Sequence, residues 1–278
     1  LLVQNDDHVK WKGKAIEPMT APRPGHADLT GAVKYGYKDL RPALERASAR
    51  ETTMRVAAGA VCKHFLAQFG IIVGGYVASI GEVSAEFHEM SYEERFTRAE
   101  ESDVRCPIET AAEKMRDAIE KTIHGKNTLG GILEIVALNV PDGLGSFMQW
   151  DRRLEAKLAM AVMSVQAIKG VEVGDAFANA RLSGTQAHDP ISVQPSTLNP
   201  PAAAGQRLQR PPNGAGGTEG GVSSGQPIVN RAAMKPIATT PTPQQTVDLA
   251  AGEHAPTKYV RSDFCPVPRA VPILEAMV

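Results

Sequence analysis

Between residues 39 and 69 apolar positions recur at helical spacing, with Ala57, Ala58, Val61, Phe65 and Leu66 on one face and few breakers beyond Pro42 and Gly59. That pattern predicts one long helix with a recurring apolar face, closed by Gly70 as C-cap. The period then shortens. Residues 71–80 are β-branched and read as a strand, with Gly74 and Gly75 marking a bulge or a close approach. Segments 91–101 and 108–123 predict two charged amphipathic helices, the first opening on a Ser91–Glu94 capping box. A strand at 131–140, a helix at about 151–164 and a short strand at 171–173 complete the periodic part. Helices interleaved with strands and glycine turns make an α+β or α/β protein, and periodicity leaves both open. At the ends, residues 1–5 read as the close of a strand and 273–278 as helix-like, so the chain is expected to be a fragment truncated at both ends.

Residues 183–227 depart from this regime, with proline, glycine, serine and glutamine displacing the apolar periodicity. Within them 190–214 is expected to be a flexible loop. The run Gly-Gly-Thr-Glu-Gly-Gly-Val-Ser-Ser-Gly at 216–225 suits either a backbone nest for an anion or a linker. The chain holds no Walker pattern, and its glycines do not form a strand-to-helix dinucleotide fingerprint.

Composition narrows the function classes more than the fold. With 278 residues, 42% hydrophobic and 22% charged, the chain can bury one large core or two small ones. A net charge of -1 argues against a general nucleic-acid binder, so any cationic site is local. Cys62, Cys106 and Cys265 are far apart and lack metal-ligand spacing, which predicts reduced thiols in a cytoplasmic protein and no metal site. Apolar runs are broken well before the roughly 20 residues a membrane span needs, so no membrane partner is expected.

Candidate chemistry gathers in a few strings. Arg23-Pro24-Gly25-His26-Ala27-Asp28 sets a guanidinium and an imidazole three residues apart, a pairing suited to an anionic ligand that undergoes proton transfer, with Asp28 as a helix N-cap. Arg41, Arg46, Arg50 and Arg55 follow, and Ser48 reads as an N-cap with Glu51 as its capping-box partner. Arg50, in a first helical turn, opposes the macrodipole and is better justified by an anion held there. Lys235-Pro236-Ile237-Ala238-Thr239 joins a cation and a hydroxyl on a stiff loop, and Arg261-Ser262-Asp263 sets cation, hydroxyl and carboxylate in succession. No Ser-His-Asp order and no pair of metal-binding histidines is evident.

These strings, in this order, resemble chorismate synthases. The likeness runs through 23–28, Lys34-Tyr35-Gly36, 47–52 with Arg55-Val56-Ala57-Ala58-Gly59-Ala60, and Asn139-Val140-Pro141. It continues through Lys169-Gly170-Val171-Glu172, Gly217-Thr218-Glu219-Gly220-Gly221, 235–239 and 261–263. The resemblance implies an α+β fold, a β-α-β sandwich of antiparallel sheets enclosing helices, as a single domain assembled into a homotetramer. It implies a lyase that removes phosphate from 5-enolpyruvylshikimate 3-phosphate by 1,4-anti-elimination. Reduced FMN is implied as cofactor, with NADPH only if the protein reduces its own flavin.

Carried over by position, His26 is the histidine that protonates or hydrogen-bonds the reduced flavin, Asp263 the carboxylate that helps remove the ring C6 proton, and Ser48 a proton relay or flavin contact. Arg46, Ala47, Gln166, Ala167, Gly220, Arg261, Lys235, Pro236, Ile237, Ala238 and Thr239 are placed around the flavin, and Arg23, Arg50 and Arg261 on the substrate's anionic groups. Two departures stand out. The family's N-terminal Gly-Glu-Ser-His-Gly segment is not among these residues, so the polypeptide alone is expected to have little or no activity. Ser223-Ser224-Gly225 replaces the more usual Ser-Asn-Gly. The competing readings are a non-catalytic flavin- or phosphate-binding subunit, and a flavin reductase activity beside the lyase.

Overall fold

The computed structural model describes residues 1–193, 208–260 and 263–278. Short helices α1 (Asp7–Trp11), α2 (Asp28–Tyr35) and α3 (Arg41–Arg46) lead into α4 (Thr52–Ala67). Strands β1 (Ile72–Ile80) and β2 (Val83–Ser84) follow, then α5 (Tyr92–Glu101), α6 (Glu109–His124), β3 (Gly131–Leu138), α7 (Leu154–Met163) and β4 (Ile168–Val173). Next come α8 (Ala176–Asn179), α9 (Gly184–Ala187), β5 (Ser192–Val193), β6 (Leu208–Gln209), β7 (Thr218–Glu219), β8 (Val222–Ser223) and β9 (Ile228–Met234). The last are β10 (Gln245–Asp248), β11 (Glu253–Pro256) and α10 (Val267–Met277).

One five-stranded sheet, in the order β2-β1-β3-β9-β4 and antiparallel throughout, organises the molecule. Its two faces are read from the period-2 alternation of the central strands. Val73 and Val77 of β1, Leu133, Ile135 and Ala137 of β3, and Ile228 and Ala232 of β9 join one core with Leu158 and Val162 of α7 and Val267, Val271 and Leu274 of α10. The alternate residues Val136, Leu138 and Val229 form a smaller cluster with Tyr92 and Phe96 of α5. Helices therefore cover both faces, and the antiparallel pairing throughout makes this an α+β protein as expected.

Several expectations need correction. The helix foreseen over 39–69 is broken into α3, a single 3-10 turn (Ala49–Glu51) and α4, because Ser48 takes an extended conformation and starts a new helical turn. The apolar face of α4 is not the buried one: Val61 and Phe65 are 59% and 63% exposed. What α4 buries is Gly59, where a Cβ would collide with Ala276 of α10, so the two helices approach through their smallest side chains. The glycines in β1 mark close approaches, Gly74 under the Phe96 ring and Gly75 against Ile135, while the register shift lies between Val77 and Ser79. Residues 1–5 form no strand, and β9, a central strand, follows directly on the segment read as loop. Of the loop expected at 190–214, residues 194–207 lie outside the described residues.

The glycine run at 216–225 is a β-hairpin. Glu219 pairs with Val222, and Gly220 and Gly221, at φ +61° and +97°, supply the two left-handed positions that a two-residue hairpin loop requires. Its amides are partly spent on the protein itself, with Gly216 N donating to Asn213 O and Gly217 N to Asn213 Oδ1.

Candidate functional site

The hexapeptide at 23–28 closes on itself. Gly25 takes φ +74°, His26 N donates to Arg23 O, and the chain turns so that Asp28 faces back toward Arg23. Asp28 is not the N-cap; Ala27 holds that place without a side-chain bond, and Asp28 is the first residue of α2, where its charge suits the helix dipole. Its carboxylate accepts from Arg23 N at 3.1 Å, Arg23 Nε at 2.8 Å and Arg23 Nη2 at 3.0 Å, and from His26 Nδ1 at 2.6 Å. Arg23 Nη1 donates to Thr239 Oγ1 at 2.7 Å. Arg23 is only 8% exposed and Asp28 fully buried, so the guanidinium foreseen as an open fork for substrate is engaged inside the protein. A lone buried charge costs several kcal/mol, roughly, which is why the two share so many bonds.

Burial alone would raise the Asp28 pKa, but the hydrogen bonds from His26 and Arg23 outweigh it and hold the carboxyl well below its ordinary value of 3.8. A depressed folded-state pKa means that the stabilisation is complete above the unfolded value and is lost as pH falls through the folded one. Unfolding free energy measured in urea should therefore drop on going from pH 5 to about 3. Asp28→Asn should show a smaller drop than the unsubstituted protein, and equal drops would show that this carboxylate does not contribute.

Around this turn three other segments converge. Lys235 Nζ donates to Gly25 O at 2.6 Å, and Lys235 N donates to Ala167 O at 2.9 Å. Ala167 sits at φ +67°, uncommon for a residue with a Cβ, and places its carbonyl against the 235–239 loop. Gln166 Nε2 donates to Glu51 Oε1 at 2.6 Å, and Glu51 also accepts from Arg55 Nε at 3.1 Å and Nη2 at 2.8 Å. Glu51 is thus an i,i+4 ion-pair partner rather than the reciprocal half of a capping box, and the Arg55 and Gln166 bonds lower its pKa. Ser48 does cap its turn, accepting from Arg50 N at 3.4 Å. Gln166 Oε1 is buried without a hydrogen-bond partner among the described residues, leaving one loose acceptor in the cluster. An isoalloxazine ring carries an N–H that such an acceptor takes, so the residues present fit a flavin.

The side chains of the other expected site residues make no hydrogen bond to this cluster among the described residues. Arg50 is exposed and pairs with Asp7 at 3.0 Å. Arg46 is exposed in the last turn of α3, and Ala47 is its C-cap. Gly220 tops the β7–β8 hairpin, whose neighbours bond Leu144, Ser146 and Leu154; no hydrogen bond ties it to Lys235 or Gln166 among the described residues. Asp263 is paired with Arg269 at 2.8 Å, and among the described residues its segment reaches the cluster through Leu129 N donating to Phe264 O and Thr128 Oγ1 donating to Ile237 O. Arg261 lies outside the described residues. A cavity of about 630 Å³ opens on the α5 side of the sheet between Phe87, Tyr92, Arg95, Glu134 and Arg231, and none of His26, Lys235, Gln166 or Asp263 lines it. Hydrogen-bond geometry, not cavity size, locates the candidate site.

Sequence reasoning missed Asp28 as the shared partner of Arg23 and His26, and it missed Glu51 as the link to Gln166. The Glu51–Arg55 spacing was a readable signal. The Asp28 pairing depends on the left-handed turn at Gly25, which a list of residues does not show.

The family model described as "Chorismate synthase" matches residues 1–278. A chorismate synthase of Sulfurihydrogenibium sp. is 47% identical over 291 aligned residues, covering 100% of this chain and 72% of that protein. One from Aquifex aeolicus is 45% identical, again over 100% of this chain and 72% of its own. A crystal structure titled as that of a chorismate synthase superposes with TM-score 0.74 at 42% identity, covering 90% of this chain and 67% of that one.

Proposed function

The chain belongs to the chorismate synthase family, lyases of the shikimate pathway and aromatic amino acid biosynthesis, and from that premise we propose how its residues carry the reaction. The elimination breaks the C6–H and C3–O bonds of 5-enolpyruvylshikimate 3-phosphate. The electron pair left at C6 moves through the ring double bond and departs with phosphate, so no net oxidation occurs. Reduced FMN, when bound, supplies an electron-rich ring beside this allylic system. Gln166, Ala167 and the loop from Lys235 through Pro236, Ile237 and Ala238 to Thr239 hold it, with Arg46, Ala47, Gly220 and Arg261 as further contacts.

The observation that carries this reading is the convergence, by hydrogen bonds, of His26, the 235–239 loop and Gln166–Ala167, segments far apart in sequence. His26 holds a proton at its exposed edge, Asp263 takes the proton lost from C6, and Ser48 relays. Arg50 and Arg261 bind the substrate's carboxylates and phosphate. Arg23, committed to Asp28 and Thr239, acts through its charge rather than by gripping the substrate.

No helix among the described residues is long and apolar enough to cross a membrane. The family relationship extends the proposal to a cytoplasmic homotetramer. NADPH enters only if the protein reduces its own flavin.

The test supplies the family's upstream segment ahead of residue 1 and follows phosphate release and chorismate formation anaerobically with reduced FMN. His26→Ala should slow turnover by about 10²–10⁴-fold, the usual worth of a positioned acid–base group. Unaltered turnover in that variant would sink the assignment of His26.

A further inference from the structure

His26 Nδ1 has two neighbours that make opposite demands on it. Asp28 Oδ1, 2.6 Å away, is a carboxylate that only accepts, so this contact requires a hydrogen on Nδ1. Arg23 Nη2, 3.0 Å away, is a guanidinium nitrogen that only donates, so a bond there requires a bare Nδ1. Both cannot be made at once. The shorter, charge-assisted contact to the carboxylate wins. Arg23 Nη2 has its own alternative in Asp28 Oδ1 at 3.0 Å. Nε2, in contrast, has no hydrogen-bond partner among the described residues, and the ring is 23% exposed. One edge of the imidazole is therefore locked and the other is open.

We propose that Asp28 is a positioning residue for His26, keeping Nδ1 protonated so that the proton the ring gives up and takes back is always the one on Nε2. When the imidazolium donates its Nε2 proton, the ring becomes the neutral Nδ1–H tautomer, and the acceptor gains one proton. When it is recharged, the proton returns to the same open edge. The carboxylate takes no proton at any stage. Its low pKa keeps it anionic throughout. Arg23 shares that carboxylate and, with Thr239, anchors it, which fixes the ring plane relative to the 235–239 loop. This deepens the reading of His26 as a proton-carrying group and rests on it.

The test is the tautomer itself, read by ¹⁵N NMR on the histidine-labelled 278-residue chain. In the unsubstituted protein the neutral ring should be the Nδ1–H form. In Asp28→Asn the charge that holds this hydrogen is gone, Arg23 Nη2 is free to donate to Nδ1, and the ring should switch to the Nε2–H form. A change in packing alone has no reason to exchange the two nitrogens. With the upstream segment supplied, Asp28→Asn should lower kcat by about 10²-fold, in the range seen when an imidazole loses its orienting partner, with KM changed about threefold or less.

An Nε2–H tautomer in the unsubstituted protein overturns the proposal, and this measurement stands even if Asp28→Asn fails to fold. So does an Nδ1–H tautomer retained in a folded Asp28→Asn variant. Failure of the underlying reading looks different: His26→Ala would then turn over normally, whatever the tautomer of the unsubstituted ring.

Discussion

Replacing Glu134 with alanine is expected to lower the unfolding free energy by about 3–5 kcal/mol, the range for removing one partner from a buried charge network. Glu134 lies mid-strand in β3 and is 3% exposed. The sheet register sets Tyr76, Glu134, Arg231 and Glu172 in one row across four strands. Tyr76 OH donates to Glu134 Oε1 in a short bond, Arg231 Nε donates to Oε2 at 2.7 Å, and Arg95 Nη1 donates to the tyrosine oxygen at 2.8 Å. Burial, then the neighbouring carboxylate, push the Tyr76 pKa far above its usual value, so the phenol remains a donor at all ordinary pH. Removing Glu134 leaves that fully buried hydroxyl without its acceptor. The Arg231 share of the loss is the smaller, because its side chain is 37% exposed and also meets Asp175 at 3.1 Å. Glu134→Gln keeps an acceptor in place and should cost less, about 1–3 kcal/mol. Urea midpoints at unchanged m-value decide it. A loss below about 1 kcal/mol for the alanine variant would mean that the row is solvated rather than stabilising.

That row shows where sequence reading reaches and where it stops. The strands carrying Tyr76 and Glu134 were legible because β-branched runs between glycines announce themselves. The pairing of the two residues was not, since register depends on which strands become neighbours. β9 is the sharper case. Its Ile228-Val229-Asn230-Arg231-Ala232-Ala233-Met234 mixes polar residues into a short run after a proline- and glycine-rich stretch, yet it lies between β3 and β4. Asn230 and Arg231 break its apolar signal, so the pattern announces no element over 228–234. The helix over 57–66 forms as its period predicts, but its apolar face is not the one it buries. Its apolar residues have the right period, but the face it buries is chosen by the small residue Gly59, which carries no hydropathy signal at all.

The candidate site divides the same way. Residue types suited to anions and proton transfer were visible in the strings 23–28, 48–55 and 235–239. Their mutual arrangement was not: a charge counted as a ligand clamp, Arg23, is consumed by Asp28, whereas Lys235 ties two segments together through its backbone and its ammonium group at once. Fold class followed from resemblance. The periodicity alone had left α+β and α/β undecided, and the antiparallel register settles it.

Asp263→Asn is expected to abolish most of the elimination, by about 10²–10⁴-fold, while leaving the fold and FMN binding intact. Asp263 is 44% exposed just before α10, and both of its carboxylate oxygens lie within reach of Arg269 Nη1, at 3.0 and 2.8 Å. A surface ion pair of this kind contributes about 0–1 kcal/mol, so its loss hardly touches stability. Removing a base that accepts the C6 proton, in contrast, strikes the bond-breaking step itself, because an amide has no basicity to replace it. The same position thus predicts a small effect on one measurement and a large effect on the other. Arg269→Ala separates the two roles. It removes the ion pair but leaves the carboxylate, so it should retain turnover within about tenfold if Asp263 is the base. With the upstream segment supplied and reduced FMN bound, normal chorismate formation by Asp263→Asn would leave Asp263 as no more than the partner of Arg269.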